Sequence, residues 1–135
     1  MWKIVLLGYD GSEHSEQALV KAEEIALQNN SKLIIANVYR ELVTRSFSIN
    51  LLEEVKSKVS EKVQVETVSA RNTDVDNELI EIAEKNEAEL IIVGSRGLGE
   101  GRAIILGSVS HEIATSAPTD VLIVRDKKHK ELDQR

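Results

Sequence analysis

Short apolar runs alternate with amphipathic segments along the chain, and this alternation predicts the fold. Runs rich in isoleucine, valine and leucine predict five strands, at Lys3–Gly8, Lys32–Val38, Val63–Val68, Leu90–Val93 and Asp120–Val124. Most of these runs are continuously apolar, which is typical of parallel strands that are buried on both faces. The run Val63–Val68 instead alternates between apolar and polar residues, so we expect it at a less covered edge of the sheet.

Segments with helical periodicity separate the strands. They are Ser12–Asn29, Leu51–Lys62, Val75–Asn86 and a last segment that begins near Gly107 and stops at Ala117-Pro118. The order β-α-β-α-β-α-β-α-β predicts an α/β fold of three layers, in which helices cover both faces of a mostly parallel, five-stranded sheet. The sequence leaves the conformation of Arg40–Asn50 undecided. The segment is a loop over the sheet edge, a lid or an early start of the second helix.

The length and the composition fit one globular domain. A chain of 135 residues has room for one core, and 41% hydrophobic with 30% charged residues is the composition of a soluble protein. We expect one domain over 1–135, with an ordered part of about residues 1–125 and a solvated C-terminal tail at 126–135. Because this tail is locally basic, a binding arm is the alternative interpretation of it.

Charge and cysteine content exclude several classes of function. A net charge of −6 and a pI near 5.1 argue against a general affinity for nucleic acid or anionic membranes. The apolar runs are too short to span a membrane, and Met1–Gly8 has no signal-peptide pattern. The absence of cysteine excludes disulfides and thiolate metal sites and is consistent with a location in the cytoplasm.

One loop carries candidate phosphate chemistry. The run Leu90–Val93 breaks at Gly94, Gly97 follows, and Gly107-Ser108 opens the last helix. Glycine lets backbone N–H groups approach an anion, and the N-terminus of a helix favours negative charge. The pattern therefore predicts a phosphate site, although turns and helix caps alone would also explain these glycines.

A second candidate loop, Gly8–Ser12, follows the first strand. Asp10 or Ser12 would cap the first helix, and Gly11 would permit the turn. For Asp10, a contact with a bound base or sugar is an equal alternative. Ligands of open parallel sheets bind at the carboxyl ends of the strands where the strand order reverses, which predicts that this loop and the loop after Gly94 meet there.

Other functional motifs are absent from the sequence. It contains no GxxxxGK[ST] phosphate loop, no GxGxxG after the first strand, no GxSxG and no HExxH. The histidines His14, His111 and His129 lack the spacing of metal ligands on a helix, so no metal site made by the protein alone is expected.

Three motifs carry a family resemblance. They are Gly94-x2-Gly97-x9-Gly107-Ser108, Asp10-Gly11-Ser12 and the closing Ala117–Val124. With these motifs the chain resembles the universal stress protein family, and within it the subgroup that binds ATP. The resemblance covers the whole chain and implies a Rossmann-like sheet of order 3-2-1-4-5, of the adenine nucleotide alpha hydrolase-like type.

The resemblance also implies a ligand and the residues around it. The ligand is ATP, with Mg²⁺ or Mn²⁺ held mainly by its phosphates. Adenine and ribose would face Tyr9, Asp10, Gly11 and the backbone of Val38, and the phosphates would lie among Gly94, Arg96, Gly97, Gly107, Ser108, Val109 and Ser110. By its chemistry alone, Arg96 is either a charged donor or an exposed loop arginine. Tyr9 stands where the family commonly has proline or a valine-like residue.

These expectations leave three classes of function open. The first is an ATP-binding regulatory or stress-response protein, and the alternatives are a nucleotide-independent dimeric interaction module and a slow ATPase or adenylyl or phosphoryl transferase. No catalytic residue is assigned, since the usual lysine clamp is missing and hydrolysis is expected to be slow. A homodimer is expected through the apolar edge strand formed by Val121, Leu122, Ile123 and Val124.

Overall fold

The strands form a single parallel sheet in the computed structural model of the chain, which describes residues 1–96 and 107–125. The strands are β1 (Ile4–Gly8), β2 (Lys32–Tyr39), β3 (Gln64–Arg71), β4 (Leu90–Gly94) and β5 (Asp120–Val124). Their order is β3-β2-β1-β4-β5, and every neighbouring pair is parallel. The predicted order 3-2-1-4-5 is therefore confirmed, and the strand order reverses between β1 and β4.

Helices cover both faces of this sheet. They are α1 (Glu13–Asn29), α2 (Arg45–Lys58), α3 (Val75–Lys85) and α4 (Ser108–Ser116). Leu7 of β1 packs in one core cluster with residues of α1 and α2, whereas Leu6 packs in a second cluster with residues of α3 and α4. Successive side chains of a strand point to opposite faces, so one continuously apolar strand serves both cores. The three-layer α/β/α architecture is confirmed.

The second helix begins earlier than its apolar pattern indicates. We predicted a start at Leu51, but α2 begins at Arg45 and follows a short 3₁₀ turn at Leu42–Thr44. In its first turns the inward position is taken by Ser48, which is 1% exposed and shares a hydrogen bond with the hydroxyl of Ser69, while Phe47 is 64% exposed. Because the inward-facing residue of these turns is polar, the periodicity of apolar residues did not indicate this part of the helix. Of the three alternatives for Arg40–Asn50, the early helix start is correct for its second half.

The loop between β1 and α1 is set by two side chains and one glycine. The hydroxyl of Ser12 accepts a hydrogen bond from the N–H of Ser15 at 3.1 Å, which caps the helix. The carboxylate of Asp10 accepts from the N–H of Ser12 at 2.9 Å. Gly11 between them has a φ of +84°, in the region that favours glycine. The loop therefore turns at once from the carboxyl end of β1 into α1.

We expect the variant Gly11→Ala to lower the free energy of unfolding by about 1 kcal/mol, because an L-residue with a side chain is strained at positive φ. The nearest atom to the added Cβ would be Leu51 Cδ1 at 3.4 Å, so the loss comes from the backbone conformation rather than from crowding. Urea denaturation would measure it. The variant Gly11→Asn should lose less, since asparagine tolerates the left-handed region; equal losses would contradict this explanation.

The two edge strands differ in how they are covered. Exposed and half-buried residues mostly alternate along β3, as predicted for a less covered edge. The four apolar residues of β5, from Val121 to Val124, are all half-buried. Trp2 donates from its indole nitrogen to the carboxylate of Asp120 at 3.1 Å, which ties the N-terminus to the start of β5. Within residues 1–96 and 107–125, no helix is long and apolar enough to cross a membrane.

Candidate functional site

A cavity of about 480 Å³ opens at the carboxyl ends of the strands, where β1 and β4 diverge. Six segments contribute to its wall: the end of β1, the first turn of α1, the end of β2 with the 3₁₀ turn, the start of α3, the end of β4 and the first turn of α4. The lining residues are Gly8, Tyr9, Asp10, Ser15, Ala36, Val38, Arg40, Glu41, Thr44, Val75, Leu79, Val93, Gly94, Arg96, Ser108, Val109 and Ser110. The cavity lies at the predicted reversal point of the strand order.

Tyr9 contributes to the cavity wall from a buried position. Its side chain is 4% exposed and belongs to the core cluster under α1 and α2, and its hydroxyl donates to the carboxylate of Glu16. Its N–H donates to the carbonyl of Ala36, and its own carbonyl accepts from the side-chain amide of Asn37. Tyr9 thus holds the ends of β1 and β2 together.

Burial, and then the hydrogen bond to Glu16, raise the pKa of the Tyr9 hydroxyl far above its ordinary value. Because the folded state keeps this proton longer than the unfolded state, the associated stability is present below pH 10 and is lost as the pH rises above it. The slope should approach about 1.4 kcal/mol per pH unit for one proton. We expect Tyr9→Phe to remove this slope in alkaline denaturation, whereas Tyr39→Phe should keep it. A slope that persists in Tyr9→Phe would contradict this assignment.

Gly94 ends β4 against the backbone of α1. A Cβ at this position would lie 2.6 Å from both the carbonyl carbon and the carbonyl oxygen of His14. The sequence pattern suggested that Gly94 admits a phosphate, and the structure gives it a second and sufficient reason, the close approach of a helix. Only glycine allows α1 to pass so near the end of β4.

Ser95 connects four elements from a fully buried position. Its N–H donates to the carbonyl of Val124 on β5, and its carbonyl accepts from the N–H of Gly107 at 2.7 Å and from the hydroxyl of Ser110 at 2.7 Å. Its own hydroxyl is hydrogen-bonded to His14 Nδ1 at 2.9 Å. Ser95 therefore fixes the start of α4 and the start of α1 to the end of β4.

Arg96 is a buried cation on the cavity wall. It is 8% exposed, and its Nη2 lies 3.2 Å from His14 Nε2. The alternative interpretation of Arg96 as an exposed loop arginine is wrong. A guanidinium this well enclosed, next to residues bonded to the start of α4, places positive charge where the helix N-terminus also favours anions.

The first turn of α4 presents backbone N–H groups to the cavity. The first helical hydrogen bond runs from the N–H of His111 to the carbonyl of Gly107. The N–H groups of Ser108, Val109 and Ser110 precede it and are therefore not used by the helix. All three residues line the cavity. This arrangement suits a phosphate, because N–H groups and the helix dipole both favour negative charge.

The hydroxyl of Ser110 has a different role from the predicted one. It donates to the carbonyls of Ser95 and Gly107, so this proton holds the fold together and is not presented to a ligand. The N–H of Gly107 is likewise bonded to Ser95. Ser108 is exposed at the start of the helix. What α4 offers a ligand is its backbone, with one hydroxyl at Ser108.

The structure brings most of the proposed site residues together. Tyr9, Asp10, Val38, Gly94, Arg96, Ser108, Val109 and Ser110 line the cavity. Gly11 and Gly107 lie next to it, in the turn before α1 and at the cap of α4. Gly97 lies outside the described residues. Among residues 1–96 and 107–125 there is no group of three or more histidine, aspartate or glutamate side chains able to hold a metal ion.

Sequence reasoning missed several residues of this region. His14 was set aside because it has no ligand partner at helical spacing, yet it touches both Ser95 and Arg96. Its place in the first turn of α1, right after the Asp10-Gly11-Ser12 motif, is the signal that would have found it. The sequence analysis also missed Arg40, Glu41 and Thr44, because it left the conformation of Arg40–Asn50 undecided.

Comparison with known proteins now decides the family. Residues 1–125 match the model of the "Universal stress protein family". The chain belongs to the universal stress protein family. The match stops where the predicted C-terminal tail begins.

Individual members of the family are similar over most of the chain. The universal stress protein YxiE of Bacillus subtilis (strain 168) is 33% identical, in an alignment that covers 93% of this chain and 100% of that protein. A universal stress protein of Thermus aquaticus is 29% identical, with 93% and 100% covered. A crystal structure of a universal stress protein in complex with cAMP is 32% identical, has a TM-score of 0.77, and is matched over 92% of this chain and 97% of that one.

Proposed function

We propose that this universal stress protein binds ATP in the cavity between β1 and β4 and acts as a nucleotide-dependent regulatory protein of the stress response. The observation that carries the proposal is the pairing of a cation with a helix N-terminus. Arg96 and the first turn of α4 share one cavity, at the reversal point of a parallel sheet. Together they form a site for the phosphates of a nucleotide.

The phosphates lie against α4 in this proposal. Backbone N–H groups of Ser108, Val109 and Ser110 and the guanidinium of Arg96 donate to their oxygens. Gly97, which follows Arg96 in the sequence, is part of the same proposed site. Mg²⁺ or Mn²⁺ accompanies the triphosphate and is held mainly by phosphate oxygens, as is usual for Mg²⁺ in nucleotide sites.

The base and the ribose lie at the other side of the cavity. Ala36, Val38 and Val75 give this side an apolar surface that suits a flat ring, and the backbone at the end of β2 provides hydrogen-bonding groups. Asp10 lines the cavity between the two sides and accepts the ribose hydroxyls in this proposal. Part of the carboxylate is already used, because it accepts from the N–H of Ser12.

A solved relative supports this class of ligand. The structure that is 32% identical to this chain is described as a universal stress protein in complex with cAMP. That ligand contains adenine, ribose and a phosphate, which are the three groups that the cavity accommodates in our proposal.

The direct test is isothermal titration calorimetry with ATP and Mg²⁺, together with mass spectrometry of any nucleotide that remains bound after purification. We expect saturable binding with one ATP per chain and much weaker binding of GTP, whose base presents different hydrogen-bonding groups. Absence of binding with ATP in the millimolar range would overturn the proposal. A purified protein that carries a nucleotide without adenine would overturn the choice of base.

A homodimer is the second part of the proposal. β5 pairs on one side with β4 and forms an edge of the sheet, and its residues Val121, Leu122, Ile123 and Val124 are apolar and half-buried in the isolated chain. Pairing with the same strand of a second copy would cover this edge. Light scattering at micromolar concentration should give twice the chain mass, and a monomer would contradict the pairing.

A cytoplasmic location stays a prediction that rests on the absence of cysteine.

A further inference from the structure

A run of consecutive exposed residues, 40–47, projects from the fold beside the cavity. It comprises the residues after β2, the 3₁₀ turn and the first residues of α2. A helical turn that packs on a core buries at least one side of itself, and no residue of this run is buried. The first inward residue is Ser48, which is hydrogen-bonded to Ser69 near the end of β3. Residues 40–47 therefore form a convex tip at the carboxyl edge of the sheet.

Three large apolar side chains lie on this tip. Leu42 is 59% exposed, Val43 is 85% exposed and Phe47 is 64% exposed. Val43 precedes Phe47 by about one helical turn, so the two side chains lie on the same side of the tip. Single exposed apolar residues are ordinary on a protein surface, but a group of them on one projection marks a surface that another molecule or phase covers.

Arginines accompany the apolar residues. Arg40 and Arg45 belong to the tip and are exposed, and Arg71 at the end of β3 donates from Nε to the carbonyl of Arg40 at 3.4 Å. Within residues 1–96 and 107–125, no carboxylate forms an ion pair with any of these three arginines. The one acidic residue of the tip is Glu41. The tip thus carries an excess of positive charge in a chain whose net charge is −6.

We propose that this tip docks on an anionic lipid membrane. Leu42, Val43 and Phe47 enter the boundary between headgroups and acyl chains, and the arginines bind lipid phosphates. Exposed apolar side chains flanked by basic ones are the combination that binds such an interface. The guanidinium group suits this role, because its planar fork of donors matches the oxygens of a phosphate.

The shape and the charge of the tip favour a membrane over a protein partner. A stable protein interface uses roughly 20–30 residues a side, more than this tip supplies, whereas a convex apolar tip can enter a deformable lipid layer. The acidic remainder of the chain opposes a general affinity for anionic membranes. Attraction is therefore confined to the tip, which also fixes how the protein is oriented on the surface.

The docking surface adjoins the candidate site but does not depend on it. Arg40, Glu41 and Thr44 also line the cavity, so the two regions share one segment of the chain. The inference does not rest on the proposed binding of ATP, and its test contains no nucleotide. Failure of ATP binding would leave it standing, and failure of membrane docking would leave the proposed function standing.

The test is co-sedimentation of the full chain with vesicles. One set of vesicles contains equal parts of phosphatidylglycerol and phosphatidylcholine, and the other contains phosphatidylcholine alone. We expect the protein to bind the anionic vesicles at low ionic strength, to bind the neutral ones much more weakly, and to be released from the anionic ones at about 0.5 M salt, where charges are strongly screened.

Two pairs of variants assign the binding to the tip. Phe47→Ser should weaken it about tenfold, because an apolar side chain no longer leaves water. Leu27→Ser is the matched control, since Leu27 is 46% exposed in the last turns of α1, away from the tip, and it should bind as wild type does. Arg45→Gln should weaken binding about fivefold, the usual contribution of one basic residue near an anionic surface, and Lys85→Gln should leave it unchanged. All four positions are exposed, and urea denaturation would verify that the variants fold.

Tryptophan fluorescence gives an independent readout of orientation. The single tryptophan of the chain, Trp2, is hydrogen-bonded to Asp120 at the opposite edge of the sheet. Its emission should stay unchanged when anionic vesicles are added to wild type. The variant Phe47→Trp should show an additional component that shifts to shorter wavelength, because the new indole moves from water into the membrane interface.

Four results would overturn the inference. They are no binding to anionic vesicles at low ionic strength, equal binding to both kinds of vesicle, equal losses in Phe47→Ser and Leu27→Ser, and a shift of Trp2 emission with none from Phe47→Trp. The first of these would point to a protein as the molecule that covers the tip.

Discussion

The variant Gly94→Ala is expected to lower the free energy of unfolding by about 3 kcal/mol, a large effect for one methyl group. The added Cβ would lie 2.6 Å from the carbonyl carbon and oxygen of His14. These are backbone atoms of a helix, so they can only move if α1 shifts away from β4. The shift would also disturb the hydrogen bonds of Ser95 and Arg96 to His14. Urea denaturation would measure the loss.

Gly8→Ala is the matched control for this prediction. Gly8 ends β1 as Gly94 ends β4, but a Cβ there would meet Leu79 Cδ1 at 3.1 Å and Val93 Cγ1 at 3.2 Å. Both are side-chain atoms that can move by a few tenths of an ångström. We expect a loss of about 1 kcal/mol or less. Equal losses at the two glycines would mean that the approach of α1 to β4 is not what requires Gly94.

The variant Arg96→Met is expected to weaken ATP binding by about 10- to 100-fold, the range for hydrogen bonds to a charged group. Methionine keeps most of the buried volume and removes the donors and the charge. The backbone N–H groups of α4 remain, so binding should be weakened rather than abolished. Calorimetric titration at constant ionic strength would measure the change.

Lys85→Met controls for the change in net charge. Lys85 is exposed in the last turn of α3 and does not line the cavity. Its removal changes the charge of the protein equally but leaves the proposed phosphate contacts intact, so the affinity should stay within about twofold because exposed surface charges are screened by salt. A similar loss of affinity in both variants would show that Arg96 acts only through the net charge of the protein and not through direct contact with the phosphates.

The sheet was predictable because its strands are buried on both faces. Leu90–Val93 and Lys32–Val38 read as continuous apolar runs, and the structure places their strands on either side of β1. The order of the strands came from the family resemblance, and it agrees with the expectation that the loops after the first and fourth strands meet where the strand order reverses. The start of α2 was not predictable from periodicity, since its inward position is Ser48 and an outward one is Phe47.

The location of the candidate site could be predicted from the sequence, but fewer of its contacts could. Glycine spacing indicated where an anion would meet a helix N-terminus, and the cavity lies there. The sequence did not show that Gly94 accommodates α1, or that the Ser110 hydroxyl is bonded to Ser95. These contacts join residues that are far apart in the chain, so no local sequence pattern indicates them. The contacts of His14 with Ser95 and Arg96 were not indicated by the sequence for the same reason.

An NMR titration can show, residue by residue, whether ATP binds in the cavity between β1 and β4. ATP with Mg²⁺ would be added to ¹⁵N-labelled protein while backbone amide shifts are followed. We predict saturable shifts that are largest for the cavity segments, at residues 8–10, 36–41, 94–96 and 107–110. Amides at the opposite edge, such as Ser31 and Ala88, should not move. No shifts with millimolar ATP, or shifts confined to other surfaces, would mean that ATP does not bind in this cavity.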